Sequence, residues 1–224
     1  MNDRLIGRAG FLGVLGAGAA GLFFGKDAVR ALRSAVPNTV EALVPTAGWR
    51  IYTIGDRMPA IDPAAWRLRV GGLVETPLAL SLDDVKGLPR AEQVSDFHCV
   101  TGWSVNGVHW AGVRLHDLLA GAKPLPAAGA LRFVSDEVPY EDSLTLDQAL
   151  LPDVLLAYEM DGAPLSRPHG APARLVIPRM YGYKNVKWVT RVEVVAHAQP
   201  GYWEQHGYDA NAWVGRSNGR GPSA

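Results

Sequence analysis

The sequence predicts one mixed α+β domain, built mainly from short strands with a few short helices. Short apolar or alternating runs recur along the chain, and 25 glycines and 16 prolines are spread between them as turn formers. No long helix alternates regularly with the strands, so a doubly wound parallel sheet is not expected. With 224 residues, of which 48% are hydrophobic, the chain can bury one full core.

Strands are predicted wherever apolar residues alternate with polar ones or form a short continuous run. The first covers residues 66–70, and a turn at Gly71-Gly72 separates it from a second strand that opens at Leu73-Val74. Another turn is predicted at Asp161-Gly162, because Asp-Gly is a strong turn signal. The remaining predicted strands are 92–100, 131–135, 154–160, 174–178 and 187–195.

Three short helices are predicted from the residues at which they begin. Ser81-Leu82-Asp83-Asp84 is typical of an N-cap followed by an acidic first turn. A second helix begins over residues 115–119. The third begins at the capping box Thr145-Leu146-Asp147-Gln148 and extends to about Leu151.

The N-terminus differs in composition from the rest of the chain. Residues 9–25 carry no charge, and Arg4 and Arg8 precede them. Such a run is typical of an export signal or a membrane anchor, and a buried N-terminal helix is the alternative. We therefore expect an exported protein that is periplasmic or attached to the outer face of a membrane. The predicted divisions are a signal or anchor over 1–33, one domain over 34–214 and a flexible tail over 215–224.

The charges of the chain balance, with 22 basic and 22 acidic side chains. Broad nucleic-acid binding needs a basic surface, so no nucleic-acid partner is expected. Seven tryptophans and the large hydrophobic fraction also argue against a disordered chain.

Cys99 is the only cysteine, so it cannot form a disulfide within the chain. Three roles are open to it: a small buried hydrophobe, a nucleophile, or a ligand for a soft metal. Its sequence neighbours can supply both an apolar wall and polar groups around the sulfur. The apolar ones are Phe97, Val100, Trp103 and Trp110, and the polar ones are Asp96, His98, Thr101, Ser104 and Asn106.

A second cluster of chemically useful residues lies in 161–188. Here His169, Arg174, Arg179, Lys184 and Lys187 stand among turn-forming glycines and prolines. Backbone amides and cations in such a loop can bind a phosphate, and a solvated basic loop is the alternative. A metal carried by an organic phosphate would need both this loop and a soft ligand such as Cys99.

Taken together, these residues resemble the sulfite oxidase superfamily of molybdopterin-binding oxidoreductases. The likeness is closer to its heme-free bacterial branch, which includes the catalytic subunit of methionine sulfoxide reductase, and it covers about residues 48–210. One block of matching residues is Cys99-Val100, Trp103-Ser104, Trp110 and Gly112. The others are residues 66–72, 161–165, 169–174, Pro178 and Tyr181-Gly182-Tyr183-Lys184-Asn185-Val186-Lys187-Trp188.

The resemblance implies a β-rich fold that binds molybdenum through one molybdopterin and the Cys99 thiolate. It places the terminal phosphate of the pterin at the 181–187 loop. The cofactor-binding residues that it implies are Cys99, Thr101, His169, Arg174, Tyr181, Gly182, Tyr183, Lys184, Asn185 and Lys187.

The resemblance also implies two-electron oxygen-atom transfer to or from a small substrate. The candidate catalytic residues are Cys99, Arg50, Arg57, His98 and Tyr202. Electrons would pass to or from a separate heme protein or cytochrome, and we expect a monomer. Animal sulfite oxidases carry a sulfite-binding arginine at a position near Gly55, where this chain has no aligned arginine. Methionine sulfoxide reductases carry an acidic residue two positions after the cysteine, where this chain has Thr101. The substrate therefore stays open among sulfite, S-oxides and N-oxides.

Two other functions remain compatible with the residues alone. One is a cysteine hydrolase in which His98, His109 or His116 activates Cys99; His98 is poorly placed, because neighbours on a strand point to opposite faces. The other is a cofactor-free binding domain that is exported to the cell surface.

Overall fold

The computed structural model describes residues 48–217. The chain divides into two compact units, Met1–Arg50 and Ile51–Ala224, and the second contains every strand and helix named below. Its strands are β1 (Leu68–Gly72), β2 (Leu78–Leu80), β3 (Arg90–Cys99), β4 (Trp103–Arg114), β5 (Ala130–Ser135), β6 (Glu141–Thr145), β7 (Leu155–Met160), β8 (Ala163–Pro164), β9 (Arg174–Val176) and β10 (Val189–Val195). Its α-helices are α1 (Leu82–Lys86), α2 (Leu115–Ala122) and α3 (Leu146–Ala149).

The strands form two five-stranded sheets. The first has the order β2-β1-β10-β5-β6, in which β1 and β10 are parallel and the other neighbours are antiparallel. In the second, β3, β4, β7 and β8 follow one another, and β9 also pairs with β7. Short helices and a predominance of antiparallel strands confirm the predicted α+β, β-rich fold.

Helices α1 and α3 begin where their capping residues predict. The hydroxyl of Ser81 accepts a hydrogen bond from the Asp84 N–H at 3.1 Å, and the Asp84 carboxylate accepts from the Ser81 N–H, which completes a capping box. Thr145 and Gln148 cap α3 in the same way. Three single-turn 3-10 helices, at Arg167–His169, Gly182–Lys184 and Glu204–His206, are also present within residues 48–217.

The core consists of apolar side chains from strands of both sheets and from the helices. Leu68 and Val192 contribute from the first sheet, Val113 and Leu156 from the second, and Leu118 from α2. Burial of such side chains contributes about 1.5–3 kcal/mol each. This core supports the strand ends and loops that carry the candidate site.

The predicted turn at Gly71-Gly72 and the second strand at Leu73-Val74 are wrong. Both glycines belong to β1, and Val74 forms only an isolated bridge with Pro124. The cause is a close backbone approach, because a Cβ on Gly72 would lie 2.2 Å from the Val194 carbonyl oxygen of β10. Glycine here allows parallel strands to pair closely rather than reversing the chain.

The predicted leader, residues 1–33, and most of the predicted tail lie outside the described residues. The apolar run 9–25 is among them, as are residues 218–224. Within residues 48–217, no helix combines the length and hydropathy needed to cross a bilayer.

Candidate functional site

Cys99 is the last residue of β3, at the tip of the long β3–β4 hairpin. It pairs with Trp103 in the antiparallel register, and Gly102 (φ +89°) provides the turn conformation between them. A register shift follows Ser95, and there the Asp96 carboxylate accepts a hydrogen bond from the Gly107 N–H at 2.8 Å. The hairpin therefore presents the thiol at its end rather than in the hydrophobic core.

The polar neighbours of Cys99 divide into two pairs. The Cys99 Sγ lies 3.1 Å from the Thr101 Oγ1, whereas the His98 Nδ1 lies 2.8 Å from the Ser104 Oγ. Among residues 48–217, no histidine forms a hydrogen bond with the thiol. The structure thus provides a hydroxyl, but no general base, next to the sulfur.

Aromatic rings lie next to the tip of this hairpin. The ring of Phe97 lies 5.7 Å from that of Trp103, which in turn lies 6.5 Å from the ring of Tyr52. Trp110 is fully buried, whereas Phe97, Val100 and Trp103 are only partly buried. Part of the predicted apolar wall is therefore open.

Arg174 connects the Cys99 hairpin with the second block of the sequence. Its guanidinium is buried and stacks on the rings of Phe97 and Trp110, at 5.6 and 5.3 Å from the ring centres. It also donates a hydrogen bond to the His169 carbonyl oxygen at 3.2 Å. Because Phe97 is two residues from Cys99, this arginine brings the two predicted clusters together.

Arg174, His169 and Lys187 lie close enough for their charges to act on one another, and this cluster is here called the cation pocket. Burial lowers the pKa of Arg174 to about 10. Burial, with help from the Arg174 charge, lowers the pKa of Lys187 to about 7 and that of His169 to about 4. Glu137 is the carboxylate that opposes this effect at Lys187. A phosphate beside Arg174 and Lys187 would neutralise their charges and accept their hydrogen bonds, whereas His169 is neutral at pH 7 because its pKa is lowered.

Two glycines allow this pocket to form. Gly170 has φ +102°, and a Cβ there would lie 2.9 Å from the Lys187 Cβ. A Cβ on Gly182 would lie 2.3 Å from the Phe97 Cζ. The absence of side chains at these positions brings the loop and the hairpin into contact.

Lys184 has a different environment from the one that its sequence position suggested. Its buried ammonium donates to Asp142 at 2.5 Å, to the Ser143 carbonyl at 2.9 Å, and to Glu204. Burial opposes the charged form, but the two carboxylates outweigh it and raise the pKa of Lys184. All three donors of the ammonium are used within the protein, which leaves none for a phosphate.

The other predicted residues of the 181–187 loop also contact protein. The Asn185 Oδ1 accepts from the Ile177 N–H at 2.7 Å, and the Tyr183 hydroxyl donates to the Asp209 carbonyl at 2.5 Å. The Tyr181 hydroxyl donates to the Ser217 carbonyl at 3.2 Å. These bonds give the loop its shape.

Among residues 48–217, neither Tyr202 nor Arg57 forms a hydrogen bond with Cys99. Tyr202 is half-buried and stacks on Tyr140 and His206, with ring centres 5.8 and 4.6 Å apart. Arg57 is exposed, and Arg50 is exposed in the other unit of the chain.

Sequence reasoning missed Glu137, which is buried close to the cation pocket. Its Oε1 accepts hydrogen bonds from the Ile54 and Gly55 N–H groups at 2.8 and 3.4 Å. Its neighbours Ser135, Asp136 and Pro139 are typical of an exposed turn, so no local pattern marked it as a buried acid.

Comparison with known proteins agrees with this arrangement. Residues 55–203 match the oxidoreductase molybdopterin-binding domain family, which covers both the hairpin and the cation pocket. The chain belongs to this family. It is an oxidoreductase of the sulfite oxidase superfamily, and its cofactor is molybdenum bound to molybdopterin. Membership decides against the cysteine hydrolase and the cofactor-free binding domain.

Three relatives illustrate the extent of the likeness. The uncharacterized oxidoreductase YuiH of Bacillus subtilis is 36% identical over 84% of this chain and 92% of its own. The protein-methionine-sulfoxide reductase catalytic subunit MsrP of Campylobacter jejuni is 32% identical over 65% of this chain. The sulfane dehydrogenase SoxCD of Paracoccus pantotrophus is 27% identical over 64% of this chain, with a TM-score of 0.59. The chain spans 56% of that MsrP and 41% of the SoxCD chain.

Proposed function

We propose that this chain transfers an oxygen atom to or from a small substrate at molybdenum bound by Cys99. The observation that carries this proposal is the stacking of Arg174 on Phe97. This contact joins the β3 strand that ends at Cys99 to the loop that carries the cations, and it supports a site with a sulfur ligand at one end and a phosphate at the other. A molybdopterin needs both features, one at the metal and one at its distal phosphate.

The cofactor, when bound, supplies the two-electron chemistry, and the protein binds, orients and shields it. Cys99 would be the metal ligand, and the Thr101 hydroxyl is placed to donate a hydrogen bond to its sulfur. Phe97 and Trp110 exclude water from one side of this region.

The phosphate-binding set is smaller than the sequence suggested. Arg174 offers a planar fork and Lys187 a point charge, and the neutral imidazole of His169 lies beside them. We assign Gly182 to the close approach of loop and hairpin. Tyr181, Tyr183, Lys184 and Asn185 support the loop through their bonds to protein atoms rather than to the cofactor.

The substrate belongs to the sulfite, S-oxide or N-oxide class. Arg50, Arg57, His98 and Tyr202 are the candidates for contacting it, and His98 is fixed by Ser104. We further propose export through the N-terminal segment, action as a monomer, and electron exchange with a separate heme protein or cytochrome.

The test compares the full chain with Cys99→Ser, using Ser104→Ala as the matched hairpin control. We expect about one molybdenum per wild-type chain, as one pterin site implies. In a screen over sulfite, S-oxides and N-oxides with dye donors and acceptors, Cys99→Ser should lose at least about 100-fold in activity, because a direct ligand matters at least as much as its supporting residues. Ser104→Ala should keep its full molybdenum content, since it changes a residue that contacts His98 rather than the sulfur.

Two results would contradict the proposal. One is purified wild-type protein that contains no molybdenum when expressed in a host that makes molybdopterin. The other is full activity in Cys99→Ser.

A further inference from the structure

Residues 52–59, here called the strap, begin between the Cys99 hairpin and the cation pocket. The strap contains no helix or strand. The carbonyl oxygen of Tyr52 accepts a hydrogen bond from the Lys187 Nζ at 2.7 Å, and the Tyr52 ring lies 6.5 Å from that of Trp103. The first residue of the strap therefore contacts both halves of the candidate site.

The far end of the strap is held by the loop that leads into the pocket. The Arg167 Nε donates to the Pro59 carbonyl oxygen at 2.8 Å, and its second nitrogen donates to that of Met58. Arg167 opens the 3-10 helix that ends at His169. A segment without sheet hydrogen bonds is thus tied to the pocket by side chains at both ends.

The middle of the strap is held by Glu137. This side chain is 6% exposed, and its carboxylate accepts hydrogen bonds from two consecutive backbone N–H groups of the strap, those of Ile54 and Gly55. Hydrogen bonds to a buried carboxylate are stronger than neutral ones. The bond spans more than eighty residues of sequence, so it fixes tertiary rather than local structure.

The backbone of Glu137 is connected to the backbone of Lys187 through Ser135. The Ser135 Oγ donates to the Lys187 carbonyl oxygen at 2.8 Å and accepts from the Glu137 N–H at 3.0 Å. One hydroxyl therefore joins the residue that holds the strap to the residue that completes the cation pocket.

We propose that Glu137 is a positioning residue that holds the strap against the cofactor pocket, and that an anion bound at Lys187 tightens the strap further. An anion beside Lys187 keeps its ammonium charged, and a charged donor binds the Tyr52 carbonyl more strongly than a neutral one. The inference rests on the proposed function only for the identity of this anion, the phosphate of molybdopterin.

Limited trypsin cleavage after Arg57, identified by mass, measures how often the strap opens. The full chain is compared as wild type, Glu137→Ala, Glu137→Gln and the control Glu159→Gln, whose carboxylate instead pairs with Arg90. Cleavage after Arg191, inside β10, serves as the internal reference for global unfolding.

Glu137→Ala should be cleaved after Arg57 at least about tenfold faster than wild type, because cleavage follows the open population and two charge-assisted bonds are lost. Cleavage after Arg191 should not accelerate in parallel. Glu137→Gln keeps an acceptor oxygen and should stay within about threefold of wild type, as should Glu159→Gln. A wild-type cleavage rate in Glu137→Ala, or equal rates for the Ala and Gln variants, would overturn the proposal that Glu137 holds the strap.

The second part compares wild-type protein from a host that makes molybdopterin with protein from one that cannot. Loaded protein should be cleaved after Arg57 several-fold more slowly, and equal rates would overturn the link through Lys187. Molybdenum content, measured on the same samples, tests the proposed function separately. The Glu137 comparison can therefore fail in a protein that binds molybdenum, and it can succeed in one that does not.

Discussion

The hairpin that carries Cys99 and the loop that carries Lys187 meet through one stacked arginine, yet they are held very differently. At the hairpin tip, Thr101 and Gly102 are exposed and Cys99 is only partly buried. In the loop, Lys184 and Asn185 are buried; Lys184 bonds to the distant Asp142, and Asn185 bonds to the nearby Ile177. This difference indicates that the loop provides a rigid, charged site for the distal end of a ligand, while the hairpin offers a single sulfur.

The largest expected effect is a loss of stability when the buried ion pairs of the 181–187 loop are broken. Lys184→Met leaves the carboxylates of Asp142 and Glu204 buried without their cation, which should lower the free energy of unfolding by about 3–5 kcal/mol. Chemical denaturation of the cofactor-free protein measures this. A loss of cofactor without a loss of stability would instead make Lys184 a ligand and reverse our assignment.

The next largest effect concerns the residue between the two regions. Arg174→Met removes a buried fork, and cofactor retention should fall by about tenfold or more, because a charge-assisted hydrogen bond contributes roughly 1.5–3 kcal/mol. Pterin released from purified protein provides the measurement. The control is Arg179→Met, whose exposed guanidinium pairs with Asp153 and should leave pterin content unchanged.

In the cofactor-free protein, replacing Lys187 should raise the free energy of unfolding, whereas replacing Lys184 should lower it. Burial lowers its pKa from 10.5 to about 7, so between these values the unfolded chain binds more protons than the folded one, and stability contributed by this site rises with pH. The penalty is fully present below about pH 7 and is gone above about 10.5. Cofactor-free Lys187→Met should therefore gain stability over wild type near pH 7, and the gain should shrink towards pH 10.

Thermal unfolding of both cofactor-free proteins across this pH range gives the answer. The same substitution should reduce pterin retention. Lys187 would then favour cofactor binding while lowering the stability of the cofactor-free protein. A constant stability difference between the two proteins from pH 7 to pH 10 would contradict the lowered pKa.

The smallest effect is expected at the hairpin tip. Thr101→Val removes the hydroxyl 3.1 Å from the Cys99 sulfur, but the residue is exposed, so the free energy of unfolding should change by no more than about 0.5 kcal/mol. Chemical denaturation checks this value. A much larger loss of stability would show that the tip is held as firmly as the loop, and the contrast between the two regions would disappear.

The sequence was informative where structure is set by neighbouring residues. The capping boxes at Ser81 and Thr145 predicted two helix starts, and the strand that ends at Cys99 was also predicted. The twelve-residue strand β4 was not predicted, because Asn106-Gly107 is typical of a chain reversal and here accommodates a register shift within the hairpin.

Roles that depend on distant residues could not be predicted in this way. Lys184 and Lys187 stand in the same basic loop, and only the fold shows that one meets Asp142 and the other lies close to Arg174. Glu137 was missed for the same reason, since its partners lie in a strap more than eighty residues away.

Coordination of molybdenum by the Cys99 sulfur is the central proposal. Molybdenum X-ray absorption spectroscopy of the purified full chain, compared with Cys99→Ser, tests this most directly. We predict that the variant loses one sulfur ligand from the metal, with an oxygen in its place. Identical sulfur coordination in the two proteins would contradict the assignment of Cys99 as the ligand.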